Sequence, residues 1–516
     1  MERSSGVPSS VRVAIGLLAV ALVALAIGGC GGSSSASDGE EASLTGSGYP
    51  GVDAANTRKA DSTIDSSNVS SLSVAWKAKI PGISNFGSYA STPVIDKGVI
   101  YSQDLASNVQ ALSLDSGEVL WNASFEQPSE GPNGIVVATG KVFGATPTEA
   151  FALDQKTGQQ LWSKKLTRNE DEGIDMAPGY EGGIVYVSTV PVTAESEYEG
   201  GAVGTLWALD AKSGKKLWHF DTVPKSLWGD PAENSGGGVW YPPAFDGKGS
   251  MYFGVGNPAP FPGTAKDPWG ASRPGPNLYT DSLVKLNAKT GKLDWYHQVT
   301  PHDIYDWDFQ GPPILMKAGG KPIVAAAGKS GIVLAADPKT GKVLWQTNVG
   351  RHSGNDDDGL LAMRGEESKI KTPATVYPGA LGGVIAPMST DGSSLFVPVV
   401  NNPQEIVSGS EKEEPGPATG EIVALDAATG KVIWKEETAS PAFGATTSVN
   451  DLVFATTYEG TVSAYEAKSG QVVWREKLPA GTNSGVMLAG DTLIAPAGLA
   501  AAAGQTPQIV AFRAGE

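Results

Sequence analysis

The stretch "ALDAKSGKKLW", Ala208–Trp218, is one of seven copies of a pattern that decides the fold. Each copy has an apolar strand, an Asx-type turn, a glycine and a second strand that ends in tryptophan, which predicts a β-hairpin. The glycine can adopt a positive φ without strain, as this turn requires. The tryptophans that end the seven copies are Trp121, Trp162, Trp218, Trp295, Trp345, Trp434 and Trp474.

The two ends of the chain supply the halves of an eighth copy. Trp76, in "LSVAW", lacks the preceding strand and turn, whereas the C-terminal "QIVAFRAGE" is a strand with no tryptophan after it. We therefore predict an all-β, eight-bladed β-propeller in which the strand at 72–77 pairs with the strand at 508–512. Such closure leaves no unpaired sheet edge. The repeat tryptophans are interpreted as packing between blades, because large aromatic residues at a repeated position usually fill a core.

The composition is that of a turn-rich β protein. The 516 residues include 66 glycines, 35 prolines and 13 tryptophans, with 18% charged residues and a net charge of −17, which argues against a nucleic-acid-binding surface. A small-molecule or protein partner is therefore expected. Cys30 is the only cysteine, and this excludes disulfides within the chain, thiolate metal clusters and a Cys-x-x-Cys-His haem attachment.

The N-terminal segment is typical of an export signal. Two arginines precede an apolar run over 13–27, which is short for a membrane-spanning helix. The run ends in "IGGC", which is similar to the bacterial lipobox, so Cys30 is the predicted site of lipidation. We predict a lipoprotein signal peptide at 1–29, a flexible linker at 30–48 and the propeller at 49–516, on the extracytoplasmic face of the membrane. The alternative is an ordinary signal peptide that happens to contain a cysteine.

Two long gaps between the repeat tryptophans locate insertions. Trp218 and Trp295 are 77 residues apart, and Trp345 and Trp434 are 89 apart, whereas a plain four-stranded blade needs about forty to fifty. The stretch "TPHDIYDWDF", Thr300–Phe309, directly follows the first insertion and holds three carboxylates, a histidine and three aromatic residues. Loops on a rigid repeat scaffold commonly carry binding or catalytic sites, so this stretch is the candidate site.

These motifs resemble those of the pyrroloquinoline-quinone (PQQ) dehydrogenases, the quinoprotein alcohol and glucose dehydrogenases. The repeats are similar to the tryptophan-docking motifs of that family, and "AANTRKADSTIDSSNVSSLSVAW" is similar to its N-terminal signature. The block from "GGGVWYPPAFDGKGSMYFGVGNPAPFPG" through "TPHDIYDWDF" resembles the family in wording and in spacing. The resemblance covers nearly all of the exported chain. It implies an alcohol or sugar dehydrogenase that uses PQQ with Ca²⁺ or a lanthanide ion and passes electrons to a separate acceptor.

The resemblance also implies a role for individual residues. Asp306 corresponds to the catalytic base, and Trp240 and Lys329 correspond to the residues that stack on the quinone and hydrogen-bond its carbonyls. Phe443 is interpreted as the replacement of a tryptophan on the other face of the quinone ring. The implied metal ligands are Glu199, Asn257 and Asp306, together with Asp308, which matches an added carboxylate of lanthanide-dependent relatives.

The chemistry of this family requires these residue types. A hard cation prefers oxygen ligands, which carboxylates and an amide provide. An ionised Asp306 accepts the hydroxyl proton of a substrate, and Lys329 stabilises negative charge on the quinone oxygens. Taken singly, each residue also has a structural interpretation: Asp306 caps a turn, Asn257 belongs to an Asn-Pro turn, and Glu199 is a solvated loop carboxylate.

Two departures from the family pattern keep other functions open. The adjacent cysteines that many members carry over the quinone are absent, and Val384 stands where alcohol-oxidising relatives tend to have asparagine. One alternative is a non-catalytic propeller lipoprotein that acts as a scaffold in outer-membrane barrel assembly. Another is a degenerate quinoprotein that binds a ligand without turnover. Glu199, Asn257 and Asp306 discriminate, because a scaffold has no need for three converging oxygen ligands.

Overall fold

The computed structural model describes residues 48–192, 200–500 and 504–515. These residues are mostly β-strands, so the all-β prediction is confirmed. One α-helix, Asp358–Met363, and four short 3₁₀ helices complete the regular structure, the latter at Val69–Ser71, Leu227–Gly229, Pro268–Gly270 and Glu367–Lys369. No helix in the described ranges has the length and apolar character needed to cross a bilayer.

Most of the described strands form eight antiparallel sheets, which we number 1 to 8 along the chain. Sheet 1 contains Val94–Asp96, Val99–Gln103, Val109–Ser113 and Val119–Ala123. Sheet 2 contains Val136–Ala138, Lys141–Ala145, Glu149–Asp154 and Gln160–Lys165. Sheet 3 has five strands, Glu172–Gly173, Gly179–Glu181, Ile184–Pro191, Thr205–Asp210 and Lys216–Asp221. Sheet 4 contains Ala244–Phe245, Ser250–Gly254, Ser282–Asn287 and Leu293–Gln298.

The second half of the chain repeats this arrangement. Sheet 5 contains Ile314–Ala318, Lys321–Ala327, Ile332–Ala336 and Val343–Asn348. Sheet 6 contains Ser389–Thr390, Ser394–Asn401, Thr419–Asp426 and Val432–Thr438. Sheet 7 contains Thr447–Val449, Leu452–Thr457, Thr461–Glu466 and Val472–Lys477. Sheet 8 contains Met487–Ala489, Thr492–Ala497, Gln508–Ala514 and Leu72–Lys79. Two small extra sheets pair Ser235–Gly236 with Pro258–Ala259, and join Ala374–Val376, Gln404–Ser408 and Glu411–Lys412.

The repeated motif forms the last two strands of a sheet and the turn between them. In sheet 3 the turn glycine, Gly214, has φ +69°, and the Asp210 carboxylate accepts a hydrogen bond from the Ser213 amide at 2.8 Å. The Trp162 ring of sheet 2 lies so close to this turn that a Cβ on Gly214 would come within 2.7 Å of the ring. The Trp162 Nε1 also donates to the Ala211 carbonyl at 3.2 Å. The glycine thus lets the tryptophan of one sheet contact the next sheet.

The same tryptophan contact recurs between other sheets. In each case the indole Nε1 donates to a backbone carbonyl in the turn of the following sheet, at 2.8 to 3.2 Å. These pairs are Trp76 with Leu114, Trp121 with Gln155, Trp295 with Pro338, Trp345 with Ala427 and Trp434 with Ala467. The interpretation of these residues as packing elements is consistent with these contacts.

The predicted pairing of the two terminal strands is confirmed. Leu72 lies opposite Ala514 and Lys79 lies opposite Gln508, in antiparallel register. Val510 and Phe512 of the last strand are each 1% exposed and pack in the core. Sheet 8 is therefore complete only when both ends of the chain are present.

The connections between strands place the candidate site at one edge of the sheets. Strands alternate in direction, so the glycine turns lie at one edge, and the connections from each sheet to the next lie at the opposite edge. The loops between second and third strands share that opposite edge, which we call the loop edge. Both insertions inferred from the tryptophan spacing run along it, within 255–281 and 349–388. The candidate residues at 240, 257, 306 and 329 all lie in loop-edge segments.

Deleting residues 508–516 tests the closure. The deletion removes the partner of the Leu72–Lys79 strand and the buried Val510 and Phe512 side chains. Loss of one buried aromatic side chain alone costs about 3–5 kcal/mol, so we expect a large fall in melting temperature, measured by tryptophan fluorescence. Removal of the final residue alone is the control and should melt like the full chain. An unchanged melting temperature for the nine-residue deletion would contradict the closure.

Candidate active site

The "TPHDIYDWDF" stretch connects sheet 4 to sheet 5 and is held by the second insertion. The Tyr305 hydroxyl donates to the Asp358 carboxylate at 2.7 Å, and the Trp307 Nε1 donates to the Pro378 carbonyl at 2.9 Å. Both side chains are buried. The insertion therefore supplies partners for the polar atoms of two large buried residues, as buried polar groups require.

Asp303 fixes the backbone of this loop. Its Oδ1 accepts a hydrogen bond from the Tyr305 amide at 2.7 Å, and its Oδ2 accepts one from the Trp307 amide at 2.6 Å. Between these two anchors Asp306 has φ +62°, a conformation that non-glycine residues seldom adopt unless their surroundings hold them there. Burial raises the pKa of Asp303 to about 6, and the two amide donors oppose this rise. Asp303 therefore positions the loop.

Lys329 joins the other two carboxylates of the stretch. Its Nζ lies 3.0 Å from Asp306 Oδ2 and 2.6 Å from Asp308 Oδ2, and all three side chains are buried. The Lys329 amide also donates to the Asp308 carbonyl at 2.8 Å. Gly383, with φ +70°, packs so closely on the Lys329 carbonyl that a side chain there would clash. The lysine is thus fixed through its backbone as well as its ammonium group.

Asp308 connects this ion pair to the loop that carries Asn257. Its Oδ1 accepts a hydrogen bond from the Asn257 amide at 2.7 Å, and Asn257 is buried. A Cβ on Gly256 would clash with this same oxygen and lie 2.8 Å from the Trp240 Nε1. Glycine is therefore required where the carboxylate and the indole converge. The structure brings together five of the predicted residues, namely Trp240, Asn257, Asp306, Asp308 and Lys329.

Asp306 has one carboxylate oxygen with no partner. Oδ2 is bonded to Lys329, whereas Oδ1 is buried and lacks a hydrogen-bond partner among the described residues. Burial raises the pKa of Asp306 well above its ordinary range, the Lys329 ammonium lowers it, and the Asp308 carboxylate raises it again. The ionised form thus depends on positive charge at this place.

Comparisons with known proteins give a consistent result. The family model described as "Glucose/ethanol/alcohol dehydrogenase, beta-propeller domain" matches residues 176–349, which include Trp240, Asn257, Asp306, Asp308 and Lys329. The model described as "Outer membrane protein assembly factor BamB" matches residues 105–241 and 397–514. The quinohemoprotein alcohol dehydrogenase of Comamonas testosteroni is 28% identical over 486 residues, covering 80% of this chain and 66% of that protein.

The chain is therefore similar, over most of its length, to PQQ-dependent alcohol dehydrogenases of the β-propeller type. The lanthanide-dependent methanol dehydrogenase of Methylorubrum extorquens is 28% identical over 531 residues, covering 84% of this chain and 83% of that protein. The crystal structure of the Comamonas testosteroni enzyme has a TM-score of 0.77 at 23% identity, covering 92% of this chain and 82% of the other, which shows a common fold. The chain spans only half the length of a quinohemoprotein alcohol dehydrogenase from Pseudomonas putida.

The remaining residues for which the resemblance implied a role are not among these five. Glu199 and Cys30 lie outside the described residues. Phe443 is partly exposed, and its ring packs against Tyr458 at 5.5 Å between centroids, so its contact with a quinone stays a prediction. Val384 is fully buried in a core cluster shared by sheets 5 and 6, which explains an aliphatic residue at this position.

The donor set fits the metal ion that quinoprotein dehydrogenases use. Asp306 and Asp308 supply carboxylates, Asn257 supplies an amide, and the unpartnered Asp306 Oδ1 is an oxygen that a cation can satisfy. Within residues 48–192, 200–500 and 504–515, no three His, Cys, Asp or Glu side chains form a metal-binding group by themselves. The predicted set differs from such a group, because it combines the amide with Glu199.

Two buried residues beside these candidate ligands were not identified from the sequence. Asp281 has φ +51° and no exposed surface, and neither of its carboxylate oxygens has a hydrogen-bond partner in the described structure. Burial raises the pKa of Asp281 well above its ordinary range, and Asp303 and Asp308 raise it further. Arg273, also fully buried, donates to the Asp303 carbonyl at 2.5 Å. Neither residue belongs to a recognisable motif, and only their fold-dependent burial distinguishes them.

Asp303→Asn tests the positioning role. An asparagine keeps one acceptor oxygen, so one of the two buried loop amides loses its partner, which costs about 1–3 kcal/mol. We expect that decrease in the free energy of unfolding, measured in urea. Asp337→Asn is the matched control: Asp337 uses only Oδ1 for its turn bonds, and Asn287 occupies the equivalent place in sheet 4. Equal stabilities of the two variants would contradict the role of Asp303.

Proposed function

We propose that the chain is a PQQ-dependent dehydrogenase that oxidises an alcohol or a sugar, with Asp306 as the general base. The observation that carries the proposal is the buried Asp306 Oδ1 without a partner, next to a carboxylate, an amide and a lysine. Homologous alcohol and methanol dehydrogenases over most of the chain support it. The match to a family model that includes glucose dehydrogenases keeps sugars within the substrate class.

Each residue of the site has its own role in the proposed reaction. When bound, PQQ with its metal ion supplies the hydride-accepting centre, which is chemistry that the protein itself lacks. Asp306 accepts the hydroxyl proton of the substrate at Oδ1, because Oδ2 is already bonded to Lys329. The Lys329 ammonium opposes the effect of burial on the pKa of Asp306 by lowering it, and it orients the carboxylate. Trp240, partly exposed beside Gly256, provides the ring face on which the cofactor would stack.

Asp306, Asp308, Asn257 and Glu199 would hold the metal ion. Ca²⁺ and lanthanide ions both prefer oxygen ligands. The relatives include a lanthanide-dependent enzyme, and the carboxylate of Asp308 favours the higher charge of a trivalent ion. The structure orients Asp308 through Lys329 and the Asn257 amide, so its position is fixed before a cation binds.

The wider arrangement follows from the same family. We infer that the eight sheets are the blades of an eight-bladed propeller, docked by the repeat tryptophans. We further infer that the chain is exported, is anchored by lipid on Cys30 after removal of residues 1–29, and passes electrons to a separate acceptor. The terminal strand pairing and the tryptophan contacts support the first inference, and the "IGGC" sequence supports the second.

A scaffold in outer-membrane barrel assembly is the second candidate function. It is favoured by the match of the barrel-assembly family model to 105–241 and 397–514. That match leaves out Asn257, Asp306 and Lys329. A scaffold has no evident use for two buried carboxylates around a lysine, which are costly to bury. We therefore prefer the dehydrogenase to the scaffold. A degenerate quinoprotein, which binds PQQ without turnover, would differ from the dehydrogenase only in activity.

Two substitutions test the proposed roles. Asp306→Asn keeps the shape of the side chain but removes the proton acceptor, so turnover should fall about a hundred- to ten-thousand-fold. PQQ binding, followed by its absorbance, should persist because Trp240 and Lys329 remain. Glu199→Gln should do the reverse, weakening metal binding first. Turnover is measured by dye reduction over a panel of alcohols and aldoses, with PQQ and either Ca²⁺ or La³⁺.

The outcomes of this test separate the candidate functions. A parent protein that never binds PQQ supports the scaffold. A parent that binds PQQ but oxidises none of the panel supports the degenerate member. Undiminished turnover by Asp306→Asn would refute the assignment of the base.

Cys30→Ala tests the anchor. Without the thiol no diacylglyceryl group can be attached, and stable membrane binding requires two or more acyl chains. When the chain is expressed in a bacterium that processes lipoproteins, the parent should sediment with membranes after a carbonate wash, and the variant should stay in the supernatant. A variant that remains as firmly bound as the parent would rule out lipidation at Cys30.

A further inference from the structure

Asp281 is the most unusual charged group near the site. It is a carboxylate with no exposed surface and no hydrogen-bond partner for either oxygen among the described residues. Its φ of +51° lies in the left-handed region, so the backbone is also held in an uncommon conformation. A buried polar group without a partner calls for an explanation such as an ion or a water molecule.

The backbone places Asp281 directly beside the proposed metal ligands. The Asp281 amide donates to the Gly256 carbonyl at 3.1 Å, and the next residue, Asn257, donates its own amide to the Asp308 carboxylate at 2.7 Å. Asp281 and Asp308 therefore adjoin two consecutive residues of one loop. Burial raises the pKa of the Asp281 carboxyl, and the carboxylates of Asp303, Asp308 and Asp306 raise it further, in accordance with this placement.

The charges of this buried cluster do not balance. Four carboxylates, those of Asp281, Asp303, Asp306 and Asp308, face two cations, Lys329 and Arg273. The Arg273 Nε is buried and without a partner, and the two Nη atoms donate to carbonyl and amide oxygens rather than to Asp281. If all four carboxylates are ionised, the cluster is short of positive charge, which is strongly unfavourable in a buried place, so a bound cation would stabilise the ionised form of Asp281.

We infer that Asp281 is a specificity-determining residue of the metal site, whose negative charge makes the site prefer a trivalent to a divalent cation. It acts through its charge and not as a ligand. A unit negative charge attracts a trivalent ion one and a half times as strongly as a divalent ion at the same distance. This inference rests on the proposed function, because it assumes a cation beside Asp306 and Asp308.

Asp281→Asn removes the charge and keeps the shape, and asparagine tolerates a positive φ. Protein loaded with PQQ is dialysed against La³⁺ or Ca²⁺, and bound metal is measured by mass spectrometry. We expect the ratio of La³⁺ affinity to Ca²⁺ affinity to be about tenfold or more lower in the variant than in the parent. The reason is that the lost charge attracts a trivalent ion more strongly than a divalent ion in a partly screened interior. Asp337→Asn, an equal charge change in a glycine turn at the far edge of sheet 5, should leave the affinity ratio unchanged.

A second measurement excludes a merely structural role. Without metal, Asp281→Asn should melt no lower than the parent, because the Asp281 carboxyl makes no hydrogen bond in the described structure that asparagine would lose. A lower melting temperature of the metal-free variant, or a failure to fold, would overturn the inference. An unchanged La³⁺ to Ca²⁺ affinity ratio would also overturn it and would indicate a water molecule between Arg273 and Asp281. Those results leave the proposed function intact, whereas a parent that binds neither PQQ nor metal overturns both.

Discussion

The ion pair of Lys329 with Asp306 and Asp308 is the interaction on which the rest of the site depends. Two carboxylates this close repel each other when buried, and the ammonium group between them makes their ionised forms tolerable. The surrounding backbone serves this arrangement: Gly256 and Gly383 leave space that a side chain would occupy. The fold itself therefore holds the three charged groups together, and the protein carries the electrostatic cost of burying them.

The regular repeats and the irregular insertions have separate tasks. The repeats give a rigid set of sheets whose tryptophans and glycine turns are nearly identical in geometry. The insertions give contacts that occur once, such as Tyr305 with Asp358 and Trp307 with Pro378. Because the loop that carries Asp306 is held on one side by a sheet and on the other by an insertion, its strained backbone is fixed.

The parts that the sequence predicted are those with a local signal. The hairpins were predictable because the turn residues and the glycine are adjacent in the chain, and the strand pairing followed from the two incomplete copies. Trp240, Asn257, Asp306 and Lys329, which the structure brings together, were predicted because each belongs to a motif that resembles the family's. Asp281 and Arg273 were missed, since their burial and unsatisfied atoms arise only when distant loops meet. The distinct role of Asp303 was also invisible, because it depends on which amides its two oxygens reach.

The pairing of the first strand with the last has a consequence for biogenesis. Leu72 and Ala514, which lie opposite each other, are 442 positions apart in the chain. During synthesis the N-terminal strand emerges long before its partner, and contacts of such large separation form late. A nascent or truncated chain therefore exposes one unpaired strand edge to chaperones and proteases. Any chain that ends before Gln508 leaves that edge uncovered, because the segment that pairs with Leu72–Lys79 is then missing.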